Sequence, residues 1–169
     1  MKKTLSILML SFLFIISLSA CNTSKSPGVY PVVKSTAELK ITGIDTEISG
    51  MLTYNTHNNL SFSYTKPKAI GGFTVSIKGS ECETSLNGLT RKVSSLPFSE
   101  NSPIRTLLGV LKIIELGEAE FIPSDSSEID LYSVTYYDCT YYIDVTPSTG
   151  QINKIYSDDF AVSFSYSKK

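Results

Sequence analysis

The side chains able to do covalent or proton-transfer chemistry are few, and their spacing argues against most of it. The chain of 169 residues has one histidine, His57, set in the polar run Thr56-His57-Asn58-Asn59. A solitary histidine in a turn leaves serine and cysteine without a general base, so Ser-His and Cys-His catalysis lack a partner. The cysteines Cys21, Cys82 and Cys139 form no Cys-x-x-Cys pair, which removes the usual redox and zinc patterns. Ser63-Tyr64-Thr65-Lys66 and Ser165-Tyr166-Ser167-Lys168 each spell Ser-x-x-Lys. Where that motif forms an acyl-enzyme it opens a helix and is joined by Ser-Asp-Asn and Lys-Thr-Gly. Here both copies lie on alternating, strand-like sequence and the partners are missing. Glu81 and Glu83 fall on one exposed strand face, and Asp158-Asp159 reads as a hairpin tip rather than a ligand pair. No glycine-rich phosphate loop occurs. A binding or structural protein is expected, not an enzyme, with no cofactor and no metal.

Cys21 has a different chemistry within reach. Met1-Lys2-Lys3 is a basic start, Leu5 to Leu18 is an apolar run, and Ser19-Ala20 supplies small residues before the cysteine. That is the order of a secretory signal. Leu18-Ser19-Ala20-Cys21 further resembles the lipobox of bacterial lipoproteins at all four positions. The resemblance implies cleavage after residue 20, diacylation of the Cys21 sulfur and a lipid-anchored protein on the extracytoplasmic face of the cell membrane. A plain anchor or a simple signal are the alternatives, but the apolar run is shorter than the roughly 20 residues a spanning helix needs. Each buried lipid methylene contributes about 0.8 kcal/mol, so two or three chains hold a protein on a bilayer.

The remaining chain is the length of one domain. The full chain has a formal charge of −1, which becomes −3 once Lys2 and Lys3 leave with the leader (13 − 16), and no basic stripe suggests nucleic acid. Tyrosine is abundant (10 residues) and tryptophan absent, and Ser and Thr recur throughout, a composition suited to antiparallel sheet. Residues 21–35 are rich in Asn, Ser, Lys, Pro and Gly without apolar periodicity, and read as the lipidated N-terminus and a flexible tether. Residues 36–169 form the folded domain. Cys82 and Cys139 either bridge, closing a loop worth about 4 kcal/mol on the chain-entropy model, or remain thiols.

Within the domain, alternation places strands at Ala37–Ile41, Glu47–Asn55, Leu60–Thr65, Phe73–Ile77, Glu81–Leu86 and Leu89–Ser94. Gly50 marks a candidate bulge, and Asn87-Gly88 is the strongest hairpin dipeptide available. Then the period changes. Ser102 caps, Pro103 takes the first helical position, Ile104 to Glu115 carries a broad apolar face, and Gly117 stops the helix. After a polar loop at 123–128, strands are expected over Leu131–Tyr137, Thr140–Val145, Gln151–Ser157 and Phe160–Tyr166, with a kink between Ile152 and Ile155. The fold class is α+β, mainly antiparallel: a curved sheet or unclosed barrel covered by one short helix.

This layout resembles the lipoprotein-carrier superfamily of LolA and LolB, in the lipid-anchored form of many Gram-positive bacteria. The residues that carry the resemblance are Leu60 to Pro67, Gly71-Gly72, Asn87-Gly88-Leu89, Leu96 to Leu111, and Val145 to Ile152. It implies an unclosed barrel whose apolar hollow, lidded by the helix, receives acyl chains. The carriers' long N-terminal helix and lid-side arginine have no counterpart here, so the resemblance extends to the fold and a greasy interior. The cavity candidates are Leu60, Phe62, Tyr64, Phe73, Val75, Ile77, Leu107, Leu108 and Leu111; the same residues would equally pack a solid core. In that case the expected function shifts to an envelope scaffold that docks another envelope protein through a tyrosine-rich sheet (Tyr132, Tyr136, Tyr137, Tyr141, Tyr142).

Overall fold

The computed structural model describes residues 25–167 apart from positions 34, 44, 45, 101 and 125. The predicted leader and Cys21 lie outside the described residues. Eleven antiparallel strands form one sheet: β1 Thr36–Thr42, β2 Glu47–Thr56, β3 Asn59–Lys66, β4 Thr74–Lys78, β5 Glu81–Leu86, β6 Leu89–Val93, β7 Glu120–Ile122, β8 Asp130–Tyr136, β9 Cys139–Thr146, β10 Gln151–Tyr156 and β11 Ala161–Ser165. The helix α1, Pro103–Glu115, lies between β6 and β7 in sequence.

Sequence neighbours pair throughout, with two departures. β1 pairs with β11, which joins the two ends of the chain in the middle of the sheet. β6 and β7 are its unpaired edges, so the sheet is unclosed, as expected. The chain that would have closed it carries α1 instead. α1 packs against β8 and, less extensively, β1. Inward residues of seven strands (β1–β3 and β8–β11) share one core with α1. A flat sheet with a single helix could not bring them together, so the sheet must wrap around the helix.

Local chemistry explains the details. Asn87 and Gly88 both take positive φ (51° and 83°), as a two-residue hairpin demands. Gly50 sits at a register shift between β2 and β3, where a methyl would strike the Phe62 ring at 2.5 Å. β10 shifts register between Ile152 and Lys154, the kink its apolar spacing predicts. The Ser102 hydroxyl accepts the Arg105 N–H at 3.2 Å to open α1. Gly117 (φ 81°) closes it, with its own N–H bonding Ile114 O and that of Glu118 bonding Ile113 O. β7 is an addition to the expected strands; it pairs with Leu131–Ser133 of β8 but is too short to show alternation.

One alternative left open is decided and one expectation is corrected. The Cys82–Cys139 bridge is absent: both are free thiols. Cys82 is buried on β5 and Cys139 exposed at the start of β9, with six strands between them in the sheet. Burial raises the Cys82 thiol pKa, which keeps it protonated and unreactive. The tether is the expectation corrected. From Lys25 onward it is no free spacer but a strap docked on the domain. Val29 N–H bonds Pro147 O (2.9 Å), Val32 N–H bonds Gly150 O (2.7 Å), and Val32 bridges in parallel to Gln151. The Tyr30 hydroxyl accepts the Ala119 N–H at 2.9 Å. Gly28 and Gly150 allow the close approach: a methyl on Gly28 would overlap Pro147 O, and one on Gly150 would overlap Tyr30 O.

Candidate functional site

Antiparallel pairing sorts the connections onto two ends of the sheet. The start of β1, the His57-Asn58 turn, the 126–129 loop and the 147–150 turn share one end with the strap and the C-terminus of α1. The 67–73 connection, the Asn87-Gly88 turn and the 157–160 turn, with Asp158-Asp159 at its tip, share the other.

At the strap end a cavity of about 270 Å³ opens between three elements. The strap contributes Tyr30 to Val33, β2 contributes Tyr54 and Asn55, and the last turn of α1 contributes Leu111, Ile114 and Glu115. Its volume lies just below the roughly 300 Å³ at which small-molecule sites begin. It therefore suits one slender apolar segment rather than a whole lipid.

One carboxylate stands at its wall. Glu115 Oε2 accepts the Tyr54 hydroxyl at 2.6 Å and the His57 N–H at 2.7 Å, and Oε1 lies 3.2 Å from His57 Nδ1. An anion at a helix C-terminus opposes the macrodipole, so these partners hold Glu115 there against the preference of the helix. Burial pushes its carboxyl up, but the hydrogen bonds from Tyr54 and His57 outweigh it, and the net pKa is lowered. The Tyr54 phenol is raised, first by burial and then by bonding to Glu115.

At the same end of the sheet a second carboxylate anchors the strap. Asp130 is fully buried and is the start of β8. Its Oδ1 lies 2.6 Å from Lys25 Nζ and its Oδ2 accepts the Gly28 N–H at 2.8 Å. The Lys25 ammonium also donates to Ser126 O (2.6 Å) and Ile129 O (3.0 Å), so the loop and the carboxylate hold it together. Burial raises the Asp130 carboxyl, while the Lys25 and Gly28 hydrogen bonds and the Lys25 charge lower it, and the lowering wins.

Of the nine cavity candidates, Leu111 alone lines this cavity. Leu60, Phe62, Tyr64 and Leu107 are buried in the shared core, and Phe73, Ile77 and Leu108 pack partly buried against it. Val75 is buried on β4. Burial holds the Tyr64 phenol up at about 12. An inward position on a strand thus located the core, while the cavity formed where the strap crosses its end. Tyr54 reads from the sequence as an inward residue of the Glu47–Asn55 strand, whereas Glu115 and the strap residues Tyr30 to Val33 do not stand out as site residues, because residues 21–35 read as a tether. Pro31 and the Tyr30/Val32/Val33 pattern were the available signal.

Among the tyrosines proposed for docking, Tyr132 and Tyr141 are buried in the core. Tyr137 is 71% exposed and Tyr142 38%. Among the described residues, no group of three or more His, Cys, Asp or Glu could hold a metal ion. None of the described helices is long and apolar enough to cross a membrane.

No protein-family model matches the chain, and no curated protein matches it by sequence. Among solved structures, the chain is similar to an uncharacterized conserved protein from Thermus thermophilus, with a TM-score of 0.47 and 7% identity over 80% of each chain. It is also similar to a LolA superfamily protein from Nitrosomonas europaea, with a TM-score of 0.40 and 10% identity over 79% of this chain and 82% of that one.

Proposed function

We propose that this chain is a lipoprotein, anchored through acylated Cys21 on the extracytoplasmic face of a membrane, that binds an apolar ligand without transforming it. The observation that carries the reading is the apolar cavity between strap, β2 and α1. It differs in place from the hollow first expected, but it too lies between sheet and helix. Its carboxylate refines the ligand. A free fatty acid would set its own negative charge beside Glu115, a repulsion strengthened by the low local dielectric. An acyl chain carried on an ester, amide or amine head meets no such penalty. Covering the chain would contribute about 25 cal/mol per Å² of apolar surface.

The test is native mass spectrometry of the gently purified protein with added N-acyl amine or palmitate. Uptake of this amide-headed chain in preference to palmitate is expected, with loss of uptake in Val33→Phe, which fills the cavity from the strap. Equal refusal of both chains would remove the ligand-binding reading.

A second reading, a scaffold that docks another envelope protein, has one observation in its favour. Tyr137 holds φ 48°, a conformation large side chains seldom adopt, while presenting its ring to solvent 4.5 Å from Tyr136. Backbone strain of this kind collects at functional positions. Tyr137→Asn relieves it and is expected to raise stability while weakening any docking at that turn.

A further inference from the structure

We infer that the strap end of the domain is held against the bilayer surface, so that the cavity faces the leaflet carrying the anchor. The inference rests on the acylation of Cys21 proposed above. Its independent content comes from the Lys25–Asp130 clamp.

Lys25 is four residues after Cys21. Fully extended, that distance is at most about 14 Å. Lys25 itself is no part of a free linker. It is fixed to the 126–130 segment by two hydrogen bonds and by an ion pair with a carboxylate that has no solvent exposure. Removing that ammonium would leave a buried charge unpaired, so the clamp resists release. The anchor therefore meets the domain at a fixed point on one end. The far end stands off by the length of the strands, about 23 Å for the seven residues of β1. A reach of about 14 Å cannot turn the far end to the membrane. The 126–129 loop, the 147–150 turn and the strap lie nearest the headgroups, and the cavity walls Tyr54, Asn55 and Glu115 belong to the same end. The occupant of this face is a lipid surface, approached by tethering rather than by charge, since no basic cluster adorns it among the described residues.

The chain contains no tryptophan, so a single one can serve as an energy-transfer donor. Full-length acylated S148W and L89W, each bound to phosphatidylcholine vesicles bearing a dansyl-labelled headgroup, report the two ends separately. Ser148 lies exposed in the strap-end turn, and Leu89 lies 80% exposed at the far end. Transfer several-fold greater from S148W than from L89W is expected. Adding K25M to both chains should narrow the difference, because the strap stays docked only from Gly28 onward and the free reach lengthens, with flotation and circular dichroism unchanged. Equal transfer from the two single variants, with vesicle binding intact, overturns the orientation. A difference left undiminished by K25M removes the clamp as its cause. Vesicle binding that is unaffected by C21S overturns the acylation reading itself, and is told apart because the first failure leaves binding dependent on Cys21.

Discussion

Asp130 shows how one residue organises a part of the fold that periodicity cannot reveal. Its partner Lys25 is 105 positions away in sequence, and neither residue stands out in composition. An ion pair of that separation leaves no pattern in a window of neighbours, which is why residues 25–33 read as a tether. The pair also sets an acid limit. Asp130 and Glu115 both have folded pKa values below their unfolded ones. Their contributions are therefore fully present above about pH 4, where the unfolded carboxylates are ionised, and are lost as the pH falls through the folded values. A titration of thermal stability between neutral and strongly acidic pH should show a fall confined to the region below about pH 4. Asp130→Asn is expected to cost about 3 kcal/mol at pH 7, because Lys25 loses its counter-charge, and to flatten that acid fall. A variant as acid-sensitive as the wild type would show that other carboxylates dominate.

At the scale of elements, most of the sheet was legible because each hairpin declares itself. Strict alternation in β1 and β3, the Asn87-Gly88 turn and the shifts at Gly50 and Ile152 all follow from residue type. α1 was legible from its cap, its Pro103 start and its Gly117 stop. What the apolar face did not tell was how closely α1 approaches the sheet. Gly109 decides that: a methyl there would overlap the ring of Tyr136 on β8. In an exposed helix, Gly to Ala stabilises by roughly 0.5–1 kcal/mol. Here Gly109→Ala is expected to destabilise by about 1–3 kcal/mol, the cost of overpacking a filled interface. Denaturant unfolding reads the sign directly, and a stabilised Gly109→Ala protein would mean that Tyr136 moves freely aside.

Across the whole molecule the sheet is unevenly covered. The inward face of its middle, around β1 and β11, is packed, while β6 exposes every residue except the half-buried Val93. Arg91 and Lys92 on this edge, with Lys92 paired to Glu81 across to β5, discourage another strand from adding there. Amide exchange should follow this gradient, with the β5–β6 hairpin exchanging fastest and β1, β9, β10 and β11 slowest. Uniform protection would mean that the hairpin is stiffened by contacts beyond the described residues. The same arrangement places the seam between the first and last strands at the centre of the sheet. Each half, β1–β6 and β7–β11, is a run of local hairpins; the seam, the helix and the strap unite them. A ribosome delivers β1 first and β11 last, so nearly the whole domain is synthesised before the exposed flank of β1 finds its mate. During that interval Leu39 and Ile41 belong to a sticky border, and whatever accompanies the nascent chain must guard it until the final strand arrives.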